Sequence, residues 1–352
     1  MAMDSPGDFF KEHALAQGRP AEFIARLDNY MNGLIEHDLP ILFSPTHWAL
    51  TMGMKYEDLK QIISRREDYY QHFRIAKKRG GYRYISAPNA ELLKVQYWIK
   101  RFILDKLKFP EYLTSYQKKR SIIDNARFHV GKELVVKYDL RNFFEDVTQR
   151  KVYGLFRHMG YNASVAIDLA KACCIRITPQ AKDKRFIRNY ACLPQGAPTS
   201  PALSNFAGFK VDLRISKYAE LHECSYSRYA DDITISGALK NKLPQFAIQD
   251  ILKAEGFTMN IRKARYIQSS RHQQVTGLSV NEKVAVPKKH RRQIHTHLHN
   301  CVRFGPYEHL KRSGSFKLNY REWLWGNILF IKQLHRLEAE KMMVEFHKIN
   351  WL

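Results

Sequence analysis

Apolar residues recur at helical spacing through the first seventy positions of the chain. They follow Pro20 in the segment PAEFIARLDNYMNGLIEH and recur in YEDLKQIISRREDYYQHF, which ends at Phe73. Apolar side chains three and four positions apart lie on one face of a helix and can pack together there. We therefore predict a helical N-terminal region over residues 1–70.

The pattern then changes to short strands and turns mixed with helices. The basic segment KKRGGYRYISAP, Lys77 to Pro88, alternates after its two glycines and predicts a hairpin. ELVVKYDLRNFF predicts a strand that ends near Asp139, and CSYSRYADDITISG predicts a hairpin with Asp231 and Asp232 near its turn. Helical patterns, such as AELLKVQYWIKRFILDKL, separate these segments. The middle of the chain is therefore predicted to be an α+β unit.

The chain is strongly basic, with 58 basic and 34 acidic residues and a formal net charge of +24. Half of this excess lies in residues 261–352, which contain 18 basic and 6 acidic residues. The segment from residue 288 onward is predicted to be helical, after a hairpin in QQVTGLSVNEKVAVP. A strongly basic surface indicates a polyanionic partner, with nucleic acid favoured over an acidic membrane.

The cysteines and histidines do not indicate disulfides or zinc. The five cysteines include no CxxC pair, and without a secretory signal they are typical of reduced thiols in a cytoplasmic protein. No apolar run reaches the roughly 18 residues of a membrane span, so no membrane partner is expected. In HTHLHNC only His295 and His299 share a helix face, and no second ligand pair follows.

Two adjacent aspartates, Asp231 and Asp232, lie in a segment that otherwise favours a strand. Such a pair is common at exposed hairpin tips, but a third carboxylate, Asp139, also ends an apolar strand. Three neighbouring carboxylates repel one another when ionised, and divalent cations offset that repulsion. A pair of ions about 3.5–4 Å apart supports phosphoryl transfer, and oxygen ligands suit Mg²⁺. We therefore predict two Mg²⁺ ions, with Mn²⁺ as an alternative.

The order of these motifs resembles that of a reverse transcriptase. YADD follows YDLRNFF, with LPQGAPTSP between them, and the resemblance extends over roughly residues 70–350. It implies an RNA-directed DNA polymerase in which Asp139, Asp231 and Asp232 are the catalytic, metal-binding residues. Phe144 matches the steric gate, whose ring disfavours ribonucleotides, and Gln195 and Gly196 match the pair beside the template and incoming nucleotide. Glycine suits close approach of the backbone.

Basic residues in two further segments match nucleotide contacts of the family. KKRGGYRYI resembles the fingers hairpin, in which Arg83 is the better match for a triphosphate contact and Lys77 or Lys78 the other candidate. The planar fork of arginine suits phosphate. GFTMNIRK resembles the following motif, in which Lys263 would lie near the departing pyrophosphate. The incoming dNTP would thus meet basic side chains from both segments.

The resemblance implies an α+β, right-hand polymerase with a helical N-terminal extension. We expect the helical N-terminal region to be followed by three domains of the right-hand fold. These are fingers over residues 71–135, a palm over 136–273, and a basic helical thumb with the RNA-recognition region over 274–352.

Two short signatures resemble those of retron reverse transcriptases. NARFH (Asn125 to His129) matches the NAxxH signature that precedes the first catalytic strand, and VTG matches the retron triplet of the basic C-terminal region. His129 as a core histidine and Gly277 as a hairpin glycine remain alternatives. The RNA-binding residues expected from the signatures and from the basic helix PKKHRRQIHTHLH are Asn125, His129, Val275, Thr276, Gly277, Lys288, Lys289, Arg291 and Arg292.

The retron resemblance implies a specific product and specific partners. The enzyme would copy part of a cognate structured noncoding RNA into single-stranded DNA, using dNTPs and priming from a guanosine 2′-hydroxyl, to give a branched RNA–DNA called msDNA. A separate effector protein and a host RNase H are expected, within an anti-phage defence system. Two alternatives stay open: another bacterial reverse transcriptase, of group II intron, diversity-generating or abortive-infection type, and a non-catalytic RNA-binding scaffold.

Overall fold

The computed structural model describes residues 6–77, 80–176, 190–314 and 317–351. The chain forms two compact units, each built from separate stretches. The first unit contains Met1–Glu111, Leu140–Arg214 and Phe246–Met259, and the second contains Tyr112–Asp139, Ile215–Gln245 and Asn260–Leu352. Helices and strands occur in both, in agreement with the predicted α+β class.

The helices are α1 (Pro6–Ala16), α2 (Ala21–Glu36), α3 (Pro45–Thr51), α4 (Tyr56–Ser64), α5 (Ala90–Phe102), α6 (Ile122–Arg127), α7 (Gln149–His158), α8 (Ala163–Cys173), α9 (Ser200–Leu221), α10 (Gln245–Ala254), α11 (Lys288–Phe304), α12 (Pro306–Arg312), α13 (Tyr320–Lys332) and α14 (Arg336–His347). The strands are β1 (Tyr70–Ala76), β2 (Tyr82–Pro88), β3 (Leu134–Arg141), β4 (Ile175–Arg176), β5 (Ala191–Cys192), β6 (Ser225–Tyr229), β7 (Asp232–Gly237), β8 (Thr258–Met259), β9 (Arg265–Gln268), β10 (Gln274–Val275) and β11 (Leu278–Ser279).

The N-terminal region is helical, but one predicted helix is too long. The pattern that begins at Tyr56 predicts a helix to Phe73, whereas α4 ends at Ser64 and β1 begins at Tyr70. Strand β1 pairs along its length with β2, and only Tyr70 of β1 is buried. Because the other six residues are not buried, their spacing carried no information about the core, and pairing with β2 determines the conformation.

The basic hairpin predicted around the two glycines is confirmed. Strands β1 and β2 are antiparallel, with Ala76 opposite Tyr82. Gly80 and Gly81 both have positive φ, +87° and +80°, which glycine adopts without the steric penalty of a side chain. The predicted nucleotide contact Lys78 lies outside the described residues.

The core of the first unit is helical. Helix α8 packs against α3, α4, α5 and α7. Its buried face includes Leu169, and its neighbours contribute the fully buried side chains Leu59, Leu92 and Phe156. Each such side chain contributes about 1.5–3 kcal/mol through the hydrophobic effect, so this helical layer is a substantial source of stability.

An antiparallel sheet carries the candidate site in the second unit. Strand β7 pairs with β6 on one side and with β3 on the other, and β9 pairs with the opposite edge of β3. Strand β3 continues into the first unit, where Leu140 and Arg141 pair with Met259 and Thr258. The predicted strand ending near Asp139 and the predicted YADD hairpin are therefore confirmed as elements.

The C-terminal helices of the second unit share one hydrophobic core with α6. Ile294 of α11, Leu324 of α13 and Met342 of α14 are buried in the same cluster as Ile123 of α6 and Val275 of β10. The predicted basic helix is confirmed as α11, which begins at Lys288. Among the described residues, no helix is both long and apolar enough to cross a lipid bilayer.

Candidate active site

The YADD motif forms a tight two-residue turn. Strand β6 ends at Tyr229, which pairs with Asp232 at the start of β7. Ala230 and Asp231 form the turn between them, and Ala230 has φ +57°. A left-handed conformation costs a non-glycine residue about 1–2 kcal/mol. The turn therefore needs contacts from its surroundings to keep this geometry.

The sheet register brings the three aspartates together. Asp139 on β3 is the direct partner of Asp232 on β7, and Asp231 precedes Asp232 in the turn. Side chains directly opposite each other on antiparallel strands have Cβ atoms about 4.5–5.5 Å apart. Residues separated by about ninety positions in the sequence thus meet because β3 and β7 are neighbours.

The electrostatics of this cluster disfavour ionised carboxylates in the absence of cations. Asp231 is accessible at the tip of the turn, but the protein crowded around its carboxyl raises its pKa to about 6. The negative charges of Asp232 and Asp139 contribute further to this increase. Burial is also the main cause of the raised pKa of Asp232, and repulsion from Asp139 adds to it.

Lys263 partly compensates this negative charge. Its Nζ atom lies 2.8 Å and 3.1 Å from the two carboxylate oxygens of Asp139. Asn260 approaches the same carboxylate, with Nδ2 donating to Oδ2 at 3.2 Å, and its backbone N–H donates to the Asp139 carbonyl at 2.7 Å. The sequence predicts Lys263 at this site but not Asn260, whose position beside Asp139 follows from the fold and from no signal in the local sequence.

The donor set suits a hard divalent cation. The charge of Asp139 raises the pKa of both Asp231 and Asp232, and a lysine ammonium occupies part of the space where positive charge is favoured. Among the described residues, no group of three or more His, Cys, Asp or Glu side chains has the arrangement of a metal site. The oxygen-only chemistry of the cluster nevertheless fits Mg²⁺ or Mn²⁺ and not a thiophilic metal.

The QG pair lies against the β1–β2 hairpin within the first unit. The Gln195 carbonyl accepts a hydrogen bond from the Ser86 N–H at 2.8 Å, and Gln195 Nε2 donates to Glu145 Oε1 at 3.1 Å. Gly196 has φ +123°, and a Cβ atom built there would lie 2.8 Å from the Ser86 oxygen. Close backbone approach therefore requires glycine at this position.

Arg83 and Phe144, two further nucleotide candidates, also lie in the first unit. Arg83 is on β2, and its side chain is exposed. Phe144 follows β3 and is half-buried, with its ring centroid 5.7 Å from that of Phe143. An exposed guanidinium and an aromatic ring held by a neighbour are compatible with the roles that the resemblance implies.

Comparison with known proteins identifies the family. Residues 75–281 match the family described as "Reverse transcriptase (RNA-dependent DNA polymerase)". The chain is 31% identical over 288 residues to the Retron Ec86 reverse transcriptase of Escherichia coli, which covers 80% of this chain and 86% of that protein. It belongs to the retron reverse transcriptases. The chain is also 32% identical over 341 residues to the Retron Mx162 reverse transcriptase of Myxococcus xanthus, covering 88% and 69% of the two chains.

This membership makes the protein an RNA-directed DNA polymerase. Reverse transcriptases have a common polymerase fold and generally use divalent metal ions. The carboxylate cluster of this reverse transcriptase has the chemistry that such ions require. The match of residues 75–281 includes all three aspartates.

The NAxxH residues of this reverse transcriptase are inside the protein. Asn125 is 1% exposed and His129 is 0% exposed. Asn125 Oδ1 accepts a hydrogen bond from Thr114 Oγ1, and the two ring nitrogens of His129 each lie 2.7 Å from a serine hydroxyl. The expected RNA contact does not fit this burial, because neither side chain reaches the surface. The alternative of a core histidine agrees with the structure.

The VTG triplet is a turn packed on α6. Val275 is fully buried, so its side chain does not reach RNA either. Thr276 Oγ1 donates to the Ile122 carbonyl at 3.0 Å, and Thr276 and Gly277 both have positive φ, +47° and +86°. Gly277 thus agrees with the alternative of a hairpin glycine.

The basic residues of α11 differ in exposure. Lys288, Lys289 and Arg292 are exposed. Arg291 is half-buried, and its guanidinium forms an ion pair with Glu338 and donates from Nε to the Val286 carbonyl at 3.1 Å. Three of the four predicted RNA contacts therefore present a free approach to a polyanion, whereas Arg291 joins α11 to α14.

Proposed function

We propose that this reverse transcriptase copies part of a structured noncoding RNA into single-stranded DNA and starts from a guanosine 2′-hydroxyl of that RNA. The product is a branched RNA–DNA molecule. The observation that carries the proposal is the register of the sheet, in which Asp139 opposes Asp232 with Asp231 in the adjacent turn. The names of the retron relatives support the choice of product.

The three aspartates would hold two Mg²⁺ ions, with Mn²⁺ as an alternative. When bound, such ions stabilise the charge that develops on the attacking and leaving oxygens. The side chains of Asp139, Asp231 and Asp232 must be ionised for this role. The Lys263 ammonium forms an ion pair with Asp139 that partly compensates its negative charge. The same ammonium group is a suitable donor to a departing pyrophosphate.

Residues of the first unit would bind the dNTP. Exposed Arg83 would contact the triphosphate, and Lys78 is the second candidate for that contact. Gln195 and Gly196 would lie beside the template base and the nucleotide, where the absence of a Cβ atom allows close approach. The ring of Phe144 would exclude a 2′-hydroxyl.

The cognate RNA would bind along the basic C-terminal region. Lys288, Lys289 and Arg292 are the exposed candidates on α11. Helical basic side chains can follow A-form RNA through its phosphates and 2′-hydroxyls, since its deep groove hides the base edges. Residues 71–135, 136–273 and 274–352 would then act as fingers, palm and thumb.

The wider system would require other proteins. We propose a separate effector and a host RNase H as partners, a role in anti-phage defence, and a cytoplasmic location. The defence role follows from the association of retrons with phage resistance. The location agrees with the five cysteines, which are all free thiols.

The proposal is tested on the nucleic acid that copurifies with the protein from its native host. The wild-type protein should carry one RNA with DNA joined through a guanosine 2′-hydroxyl. Asp231→Asn should carry the same RNA without DNA, because a neutral amide replaces a charged ligand. Asp58→Asn, which removes an exposed carboxylate of α4, is the matched control and should retain the branched product.

Two outcomes would contradict the proposal. Normal amounts of DNA on Asp231→Asn would show that the carboxylate assignment is wrong. Unbranched DNA on unrelated RNAs, copurified with the wild-type protein, would leave the polymerase assignment intact and exclude 2′-hydroxyl priming.

A further inference from the structure

A single buried imidazole joins the two strands that carry the YADD turn. One ring nitrogen of His129 is 2.7 Å from Ser227 Oγ on β6, and the other is 2.7 Å from Ser236 Oγ on β7. Ser225 pairs with Ser236, and residues two apart along a strand point to the same face. Ser227 and Ser236 therefore lie diagonally on one face of the hairpin, where one ring can reach both.

The environment of His129 makes these bonds costly to lose. The ring is fully buried, and burial lowers its pKa to about 3. It is therefore neutral at physiological pH, with one nitrogen donating and the other accepting. A buried polar group that loses its partner costs about 1–3 kcal/mol, so the ring and both hydroxyls hold one another in place.

A second connection runs from Asn125 to the strand that precedes the turn. Asn125 Oδ1 accepts from Thr114 Oγ1 at 2.9 Å. The backbone around Thr114 follows β6, because the Arg228 N–H donates to the Tyr112 carbonyl at 2.9 Å and the Thr114 N–H donates to the Arg228 carbonyl at 3.2 Å. Asn125 thus fixes a segment that is hydrogen-bonded to the YADD strand.

This segment also holds the turn itself. Ser115 Oγ accepts a hydrogen bond from the Ala230 N–H at 2.8 Å. On the other side of the same residue, Arg228 Nη1 donates to the Ala230 carbonyl at 3.0 Å, and Arg228 is 1% exposed. The left-handed conformation of Ala230 persists only if surrounding contacts determine it, and these two bonds are such contacts.

Helix α6 has a firm base for this role. Its Ile123 and Ala126 are buried in the core that contains Val275 and the C-terminal helices. Thr276 Oγ1 of the VTG triplet donates a hydrogen bond to the carbonyl of Ile122, the first residue of α6. The two signatures that sequence reasoning offered as RNA contacts are therefore in contact with each other through α6.

We propose that Asn125 and His129, together with Ser115, are positioning residues that hold the YADD turn in the geometry needed for nucleotide transfer. They act through the hairpin and do not touch RNA. The inference rests on the proposed catalytic role of Asp231 and Asp232, since the turn that they brace is the one that presents these carboxylates.

Variants with small deletions of polar groups test the proposal. We choose Ser227→Ala and Ser115→Ala, which each remove one hydroxyl, and His129→Ala, which removes the bridge. Extension of a pre-annealed primer–template should show a kcat lower by about 10–100-fold, since a misplacement near 1 Å costs about 100-fold. The KM for dNTP and the Kd for copurified retron RNA should stay within about twofold, and this split would not arise from a merely structural role.

Two controls separate positioning from folding. Ser204→Ala removes a buried hydroxyl that bonds the Pro201 carbonyl within α9, and it should behave like the wild type. His129→Ala combined with Ser227→Ala should lose little more activity than His129→Ala alone, because the bond that Ser227→Ala breaks is already absent from His129→Ala and the two effects are then not additive. If His129→Ala fails to fold, the single-hydroxyl variants still decide the question.

Two results would overturn the proposal. Weaker binding of retron RNA with normal primer extension would make these residues RNA contacts. A lower melting temperature with unchanged kcat below that temperature would make them purely stabilising. Asp231→Asn in the same assay separates failure of this inference from failure of the proposed function. If Asp231→Asn stays active, the catalytic assignment fails. If it is inactive while Ser227→Ala, Ser115→Ala and His129→Ala are normal, only this inference fails.

Discussion

Gly196→Ala is expected to damage both the stability and the activity of the enzyme. A Cβ atom at this position would lie 2.8 Å from the Ser86 oxygen and 2.9 Å from Ile85 Cγ2. A non-glycine residue at φ +123° costs about 1–3 kcal/mol, and overpacking adds about 1–3 kcal/mol. The shift needed to relieve the clash would also weaken the 2.8 Å bond from Ser86 to Gln195, which is worth about 1 kcal/mol.

The expected sum is a loss of about 2–7 kcal/mol in the free energy of unfolding, a large part of the 5–15 kcal/mol of a typical domain. Denaturant unfolding measures this loss, and single-nucleotide extension at low temperature measures activity in the folded protein. Extension should also fall, because the QG segment must move away from β2.

A second glycine separates backbone strain from the steric clash. Gly53 has φ +66°, and a Cβ atom built there meets no atom within 4 Å. Gly53→Ala should therefore lose only the conformational term, about 1–2 kcal/mol, with normal extension. Equal losses for the two variants, or normal stability and extension for Gly196→Ala, would refute the argument from close approach.

Two further predictions concern charge. The pKa of Asp231 is raised from 3.8 to about 6, so the unfolded chain releases this proton first and the metal-free protein loses stability as the pH rises from about 4 to about 6. Asp231→Asn should remove this pH-dependent loss, which is about 1 kcal/mol or less at so accessible a site. In EDTA, the difference in melting temperature between Asp231→Asn and wild type should therefore grow between about pH 4 and pH 6. A constant difference would contradict the raised pKa of Asp231. Replacing Lys288, Lys289 and Arg292 with Ala should weaken the binding of retron RNA and lower its salt dependence, while primer extension should fall less. Arg291→Ala should mainly lower the melting temperature, because it breaks the pair with Glu338. Equal losses of RNA binding and primer extension in the triple variant would assign α11 to duplex binding.

Much of the site could be predicted because its elements have local sequence signals. Strand β3 and the β6–β7 hairpin have β-favouring residues on both sides of their aspartates. The order of the motifs then indicates that Asp139 and Asp232 belong to one site. The hairpin of β1 and β2 followed from its two glycines. The proximity of Asp139 and Asp232 needed only that the two predicted strands be neighbours, whereas the register that makes them direct partners is visible only in the folded sheet.

The rest depends on contacts between distant residues. Nothing near Asn260 indicates that it binds the Asp139 carboxylate, 121 positions away. His129 is a polar residue in the turn that follows α6, and only the fold shows that Ser227 and Ser236 satisfy its ring. The apolar spacing that begins at Tyr56 predicts a helix into the region of β1. The residues of β1 after Tyr70 are exposed, so their spacing carries no information about burial, and pairing with β2 decides their conformation.

The division of each unit into separate stretches affects how the protein folds during synthesis. The first unit is completed only by Phe246–Met259, which leave the ribosome after Tyr112–Asp139 and Ile215–Gln245 of the second. Leu140 must wait for Met259 before that end of β3 gains its β8 partner. Domains usually fold as units, the N-terminal one first. Here neither unit has its full sequence until part of the other has been synthesised. Nascent chains shorter than about 260 residues should therefore expose apolar surface, and chaperones should matter more for this enzyme than its size alone suggests.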